Sequence, residues 1–463
     1  MIKFQTRIAW ITIIVFMLVI SSKLAFAEMD SRELTIIYSG NTLGELKPCG
    51  CTKEEDQGGF ERRMTFIKKI SSNTKNIILV DTGDSFKEPT KQGKIKARYI
   101  IQAMSKLRYD AIIPGEKDLV YGEPFINSGE SIPWLLSNAQ LGRIDPPKIR
   151  LKKLNNGLIV AILGLIDPEL YYDAKHSGGI ISDPKKSAEK LIAKLKKSRQ
   201  PDLIILLTHM KREKAISLLK LNGVDIVVNG HIENDTDTID MTPIKKNGKV
   251  FIQPGPRGQK MGKLTIQIDK NFNKIFKNSI IRLDSKIKFD PEMIKWYDDY
   301  NNEIEELFFE SMDRRKNQHE KKNVYASDQM CMTCHPNKHE TWNKSRHGHA
   351  YETLKKINKA FDPECLKCHV TGLDRIGGFV SEVDTPELKN VQCEACHGPS
   401  LGHVKNFQIK PKADAQQACK LCHVKNHSPN FNYSKYWPKK KHRPRLLILR
   451  RLKYDRLQKY FRK

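Results

Sequence analysis

From Leu34 to about Asp284, short apolar runs alternate with Lys-rich stretches whose apolar residues recur at helical spacing, the pattern of a layered α/β domain. The runs predict strands at Leu34 to Tyr38, Ile77 to Val80, Ala111 to Ile113, Leu158 to Leu163, Leu203 to Leu207, Ile226 to Asn229 and Lys263 to Ile268. Amphipathic stretches predict helices at Ile95 to Leu107, Pro184 to Lys197 and Lys211 to Leu221. Polar residues gather at one kind of place. Asn41, Asp84, Glu116 with Lys117, His209 and His231 each lie just past a predicted strand, where the loops of such a domain converge on a site.

Asp290-Pro291 is a good helix start, and Met293, Trp296, Tyr297, Tyr300, Ile304, Leu307, Phe308 and Met312 then repeat on one helical face. A stripe this regular predicts packing on the protein's own core. Asp313 to Asn323 is charged and poor in apolar residues, which predicts a hinge. The expected organisation is a signal at 1–27, the α/β domain at 28–285, a helical connector at 286–323, a mainly α unit at 324–443 and a basic tail at 444–463.

At the N-terminus Lys3 and Arg7 precede an uncharged apolar run from Ile8 to Ile20, and Ala25-Phe26-Ala27 has the small-x-small form of a cleavage site before Glu28. This predicts export to the periplasm or beyond, as a soluble or peripherally membrane-associated protein. The alternative is an uncleaved anchor, for which the run is short.

The second half carries the strongest chemical signal. Four Cys-x-x-Cys-His units follow one another: Cys331, Cys334 and His335; Cys365, Cys368 and His369; Cys393, Cys396 and His397; Cys419, Cys422 and His423. Each reads as a c-type haem attachment site, with two thiols for thioether bonds and the next His as proximal iron ligand. Eight thiols in pairs can also close two four-sulfur zinc sites, but those need no following His. With only 14 His in 463 residues, its presence after every pair favours haem. About 23 residues per haem are too few to wrap each one separately, so the macrocycles are expected to pack together, form the core and pass electrons. Seven further His between His319 and His442 suffice for a distal ligand on every iron.

The formal net charge of +28, from 81 basic and 53 acidic residues, would by itself suggest nucleic acid. Export argues against that partner, and haem propionates take up part of the excess. Lys439 to Lys463 holds twelve Lys or Arg and one acid, Asp455, with Leu446, Leu449, Leu452, Leu457 and Tyr460 near helical spacing. This stretch suits an anionic membrane surface or an acidic redox partner protein, or is a solvated end. Near the first strand, Pro48-Cys49-Gly50-Cys51 reads as a redox pair, a soft-metal site or a disulfide that pins the loop.

Over Leu34 to Asp269 the chain resembles the calcineurin-like metallophosphoesterases of the exported 5′-nucleotidase branch, which also contains thiosulfohydrolases. The resemblance rests on Ser39-Gly40-Asn41-Thr42-Leu43-Gly44, Asp81-Thr82-Gly83-Asp84, Gly115-Glu116-Lys117-Asp118, Leu207-Thr208-His209 and Asn229-Gly230-His231-Ile232-Glu233. It implies two metals, yet Asn41, Leu43 and Glu233 stand where the first metal's Asp and two His ligands belong. Asp84, Glu116, His209 and His231 remain as ligands for a single divalent metal, the alternative being a metal-free scaffold, while Lys117 stands at the family's leaving-group His.

Over about Ala326 to His442 the chain resembles the cytochrome c-554 type of tetrahaem cytochrome. The motifs are Trp342 to Ala350, Thr371-Gly372, Cys393 to Pro399, His403 and Asn426-His427-Ser428-Pro429. The resemblance implies distal ligation by His347 and His403, with His427 and His442 as further candidates; His349 competes with His347, and His339 is expected in solvent. The expectation is therefore a layered α/β metallophosphoesterase-like domain joined to a mainly α multihaem domain with four covalent haem c, carrying electrons between redox partners. The alternatives are a haem enzyme acting on a small nitrogen or sulfur compound, and a metal-dependent hydrolase.

Overall fold

In a computed structural model, the apolar runs pair into two sheets stacked face to face. The structure describes residues 32–48, 56–87, 89–126, 132–142, 145–171, 179–198, 200–233, 238–411, 414–424, 428 and 430–440. The predicted signal, Cys49, Cys51, His427, His442 and the tail 444–463 lie outside these residues. The chain divides into two compact units, one ending at Tyr297 and one starting at Asp298. The division falls inside the helix Pro291–Glu310.

The strands of these two sheets are β1 (Arg32–Ser39), β2 (Ile77–Asp81), β3 (Ala111–Ile112), β4 (Arg150–Lys153), β5 (Ile159–Ile166), β6 (Leu203–His209), β7 (Ile226–Asn229), β8 (Ile244–Lys246), β9 (Lys249–Ile252), β10 (Lys260–Ile268) and β11 (Lys274–Arg282), and a separate antiparallel pair joins Ala139–Gln140 to Ile180–Ile181. One sheet has the order β11-β10-β1-β2-β3 and the other β8-β9-β7-β6-β5-β4. In the first sheet β1, β2 and β3 run parallel while β10 and β11 join antiparallel on the β1 side; in the second, β9, β7, β6 and β5 run parallel and the edge strands β8 and β4 are antiparallel. Alternate residues of both sheets, among them Leu34, Ile36, Tyr38, Val160, Ile162, Ile205, Leu207, Val228 and Ile266, form one continuous core.

The other face of the second sheet buries Leu163, Leu206 and Val227 under the helices Pro184–Ser198 and Arg212–Ser217. Because both faces are covered, these strands read as apolar runs rather than as alternation. The register matters for function. Ser39 pairs with Asp81, Asp81 with Ile112, and Thr208 with Asn229, so the carboxyl ends of parallel strands from both sheets stop at one level.

All seven predicted strands and all three predicted helices form. The sequence reading missed the helix Phe60–Asn73, since Glu61, Arg62 and Arg63 on its buried side break the apolar pattern. It also missed β4, β8, β9, β11 and the short pair Ala139–Gln140 with Ile180–Ile181. The connector stripe is confirmed: Met293, Trp296, Tyr300, Ile304 and Phe308 are buried, and Trp296 meets Phe60 edge to face at 5.6 Å. The hinge expected over Asp313 to Asn323 is instead helical over Met312–Lys321. Arg315 explains the difference, because its buried guanidinium donates to the Phe308 carbonyl at 2.8 Å and to Ser311 Oγ at 2.7 Å, fastening the helix to the one before it.

The second unit is mainly short helices, and the four Cys-x-x-Cys-His motifs end the helices Ser327–Cys334, Pro363–His369, Cys393–His397 and Ala415–Cys422. Its apolar core is small, centred on Tyr351, Leu354, Leu366, Phe379 and Leu388. Met332, Phe407, Leu421 and Val424 are exposed around the motifs.

Candidate functional site

At the carboxyl ends of the strands, Asp84, Glu116, His209 and His231 come together with one ligand atom each, all within 4.8 Å of one another. The first sheet supplies the carboxylates through the loops after β2 and β3; the second supplies the imidazoles, His209 as the last residue of β6 and His231 just past β7. Asp84 and His209 are fully buried, whereas the side chains of His231 and Glu116 keep 11% and 23% exposure, so the site opens on their side.

His209 Nδ1 lies 2.8 Å from the Thr82 carbonyl, which fixes that nitrogen as the donor and turns Nε2 towards Glu116 Oε2 at 2.7 Å and Asp84 Oδ1 at 3.5 Å. His231 Nδ1 is 3.4 Å from Glu116 Oε1, long for a hydrogen bond, and is a buried nitrogen without a partner. Two carboxylates, one imidazole held in the ligating tautomer and one buried unpaired imidazole nitrogen fit a single divalent ion.

Lys117 complicates the cluster. Its Nζ bonds Asp84 Oδ2 at 2.8 Å and Glu116 Oε1 at 2.9 Å, and its backbone N–H bonds Asp84 Oδ1 at 3.1 Å. Burial penalises the ammonium, but the two carboxylates hold Lys117 above the usual lysine range. Burial likewise opposes a charged His209, yet Asp84 and Glu116 push it up to about 9. Glu116 is held well below the usual range by the two His and Lys117, against its burial.

Sequence reasoning missed the residue that shapes this loop. The Asp118 carboxylate is buried and accepts four backbone N–H groups, from Asp84, Ser85, Phe86 and Gly115, at 2.8 to 3.1 Å. Gly83 (φ 84°) and Asp84 (φ 56°) adopt the left-handed region that makes this wrap possible. A Cβ on Gly83 would stand 2.3 Å from Gly115 N. Burial and the nearby Asp84 push Asp118 up to about 7, against those four donors. The visible signal was its place in the Gly115-Glu116-Lys117-Asp118 motif.

The other family positions do not make a second metal site. Asn41 is buried with both amide atoms unpaired, and Leu43 is buried beside it in the chain. The Glu233 carboxylate accepts the Arg212 N–H at 2.6 Å, at the start of the helix Arg212–Ser217. An amide, an alkyl group and a carboxylate used in capping leave the first metal without its ligands.

In the second unit the attachment helices pack in succession, the first on the third, the third on the fourth and the fourth on the second. Cys331 meets Cys393, and Cys422 meets Cys368. Among the described residues no three thiols gather as a four-sulfur zinc site requires. Two of the motif imidazoles are held through Nδ1. His369 Nδ1 is 2.7 Å from the Ala350 carbonyl and His423 Nδ1 is 3.0 Å from Ser428 Oγ, leaving Nε2 as the ligating atom.

His347 is half-buried, and its ring centroid lies 6.0 Å from that of His423. The competing His349 is exposed. His403 has Nδ1 2.6 Å from the Ile409 carbonyl, and His319, which sequence reasoning counted only as supply, has Nδ1 3.1 Å from the Gly378 carbonyl. His339 is not in solvent as expected. Its Nε2 bonds Asp328 Oδ2 at 2.7 Å, and Trp342 covers it with ring centroids 5.2 Å apart.

Glu394, inside the third motif, joins these segments. Its buried carboxylate accepts the N–H groups of Ala326, Ser327 and Ser400 at 2.7 to 3.0 Å, and burial raises its pKa above the usual range. Glu394→Ala leaves three N–H groups without an acceptor, so the second unit is expected to lose about 3 kcal/mol or more, read from guanidinium unfolding followed at the haem absorbance.

The fold and the two sites define a chain in two parts, a metallophosphoesterase-type α/β sandwich and a helical unit of c-type haem motifs. Residues 330–398 match the family model for cytochrome c554 and c-prime. Cytochrome c-554 of Nitrosomonas europaea is 33% identical over 93 residues, 17% of this chain and 38% of that protein. The N-terminal region is homologous to the 5′-nucleotidase and calcineurin-like phosphoesterases. The snake venom 5′-nucleotidase of Naja atra is 28% identical over 230 residues, 43% of this chain and 41% of that protein. The crystal structure of a 5′-nucleotidase precursor from Thermus thermophilus shares the fold, with a TM-score of 0.52 at 19% identity over 64% of this chain and 61% of that one. The chain thus spans about two fifths of the length of these curated relatives. Among the described residues no helix is long and apolar enough to cross a membrane.

Proposed function

We propose that the protein is an exported carrier of electrons with four covalent haem c groups, and that its phosphoesterase-like unit serves as a ligand or partner module. The observation that carries this reading is the succession of attachment helices. The first packs on the third, the third on the fourth and the fourth on the second, an order that would bring haems held on neighbouring helices close enough to pass electrons. Haems bound there would supply one-electron transfer, and the chain would hold them through its thiols and imidazoles. Cys331 to Cys422 supply the thioether sulfurs, His335, His369, His397 and His423 the proximal nitrogens, and His347 and His403 distal ones.

Export is supported by the N-terminal run and by the chemistry of haem attachment. The basic tail favours an acidic redox partner or an anionic membrane surface as the docking surface for the chain. In the α/β unit, Asp84, Glu116, His209 and His231 would hold one divalent ion, which would act as a Lewis acid. The lost first metal removes the second half of a two-metal clamp, so hydrolysis at enzymatic rates is not expected.

The test is electron paramagnetic resonance of the oxidised full chain, made with haem maturation machinery and quantified by pyridine haemochrome. Four haems per chain, all low-spin, are expected. A high-spin haem in the untreated protein would instead indicate a substrate-accessible iron and a redox enzyme.

A further inference from the structure

The Lys117 side chain is the one feature of the strand-end cluster that its ligand set does not account for. Its ammonium bonds one oxygen of Asp84 and one of Glu116, at 2.8 and 2.9 Å, and thereby engages both carboxylates of the four-residue group. Asp84 has no access to water, so its charge is compensated inside the protein or not at all. The Lys117 backbone N–H holds the second Asp84 oxygen at 3.1 Å, so the residue grips that carboxylate from both sides. A flexible lysine needs no such anchoring to remain solvated at the rim, where a third of its side chain is still exposed.

We propose that Lys117 is a tethered cation that takes the electrostatic place of a metal ion in this cluster, keeping Asp84 and Glu116 compensated and the loops after β2 and β3 in position without metal. A divalent ion has to compete with a positive charge already bonded to two of its four ligands. The site therefore holds its shape in chelator and takes up metal weakly. The inference concerns the first unit alone and stands independently of the haem reading.

The test uses Mn²⁺, whose preference for oxygen and imidazole suits this donor set and whose free-ion resonance disappears on binding. The full haem-loaded chain is titrated at constant pH as wild type, Lys117→Met and Lys117→Arg, with Asp84→Asn added to the Met variant as a control. Lys117→Met is expected to bind one Mn²⁺ per chain at least about tenfold more tightly than wild type, because a like charge within about 4 Å of the ion is removed. Lys117→Arg keeps the weak binding, and Asp84→Asn abolishes the gain.

A second measurement does not depend on the Met variant folding. Thermal unfolding of the wild type is followed by calorimetry in chelator and in excess Mn²⁺. An unchanged midpoint supports the tethered cation, since an ion that binds the folded state tightly must raise it. Wild-type Mn²⁺ binding as tight as that of Lys117→Met, or a wild-type midpoint that rises with Mn²⁺, overturns the proposal.

Discussion

Replacing His347 with Ala is expected to turn one haem from low-spin to high-spin while all four remain covalently attached. His347 contributes no thioether and lies 6.0 Å, ring centroid to ring centroid, from His423, the proximal residue of the fourth motif. Removing one of two strong-field imidazoles leaves the iron five-coordinate or water-bound. The high-spin ferric signal should account for about one quarter of the haem, and that haem should now bind carbon monoxide when reduced. Exogenous imidazole should restore the low-spin spectrum. His349→Ala is the contrast, because His349 is exposed on the same short turn Arg346–His349 and its loss should leave every haem low-spin. A high-spin signal from His349→Ala and none from His347→Ala would reverse the assignment.

The second large effect is on stability. Asp118→Ala removes the single acceptor of four backbone N–H groups in the loops that place Asp84 and Glu116. Each buried donor left unpaired costs about 1–3 kcal/mol, so a loss of about 4 kcal/mol or more is expected after local rearrangement. Denaturant unfolding of the α/β unit, followed by circular dichroism, measures it. Asp118→Asn keeps one carbonyl oxygen for these donors and should cost roughly half as much. If Asp118→Ala changed the midpoint no more than a surface substitution does, the loop would be held by other contacts.

The two effects separate the jobs of the two units. In the α/β sandwich, a fully buried carboxylate shapes the loops and the charges they carry. In the helical unit the apolar core of the chain itself is small, so haems bound at the motifs would add to its packing. Removing an axial ligand therefore changes spectroscopy and reactivity more than folding, whereas removing Glu394 or Asp118 acts on folding first.

Element types and the chemistry of attachment are legible in the order of residues. Apolar runs such as Leu203 to Leu207 and Ile226 to Asn229 are satisfied as strands covered on both faces, and each Cys-x-x-Cys-His spacing is the one that attachment of a haem c to two thiols and a neighbouring His requires. The same order puts Asp84, Glu116, His209 and His231 at strand ends, because a loop follows each run of apolar residues. The helix Phe60–Asn73 was hidden, since its inward face carries Arg62 and Arg63, whose partners lie outside the helix: Asp56 and the Leu283 carbonyl for one, Tyr109 and Thr42 for the other. Folding was needed to show that two sheets, rather than one, bring carboxylates and imidazoles together. The folded chain also set Lys117 between Asp84 and Glu116, took Glu233 away to Arg212, and put the ring of His347 near that of His423. These are contacts between residues far apart in the chain, or choices of side-chain direction within one turn, and no periodicity of hydrophobic and polar positions encodes either.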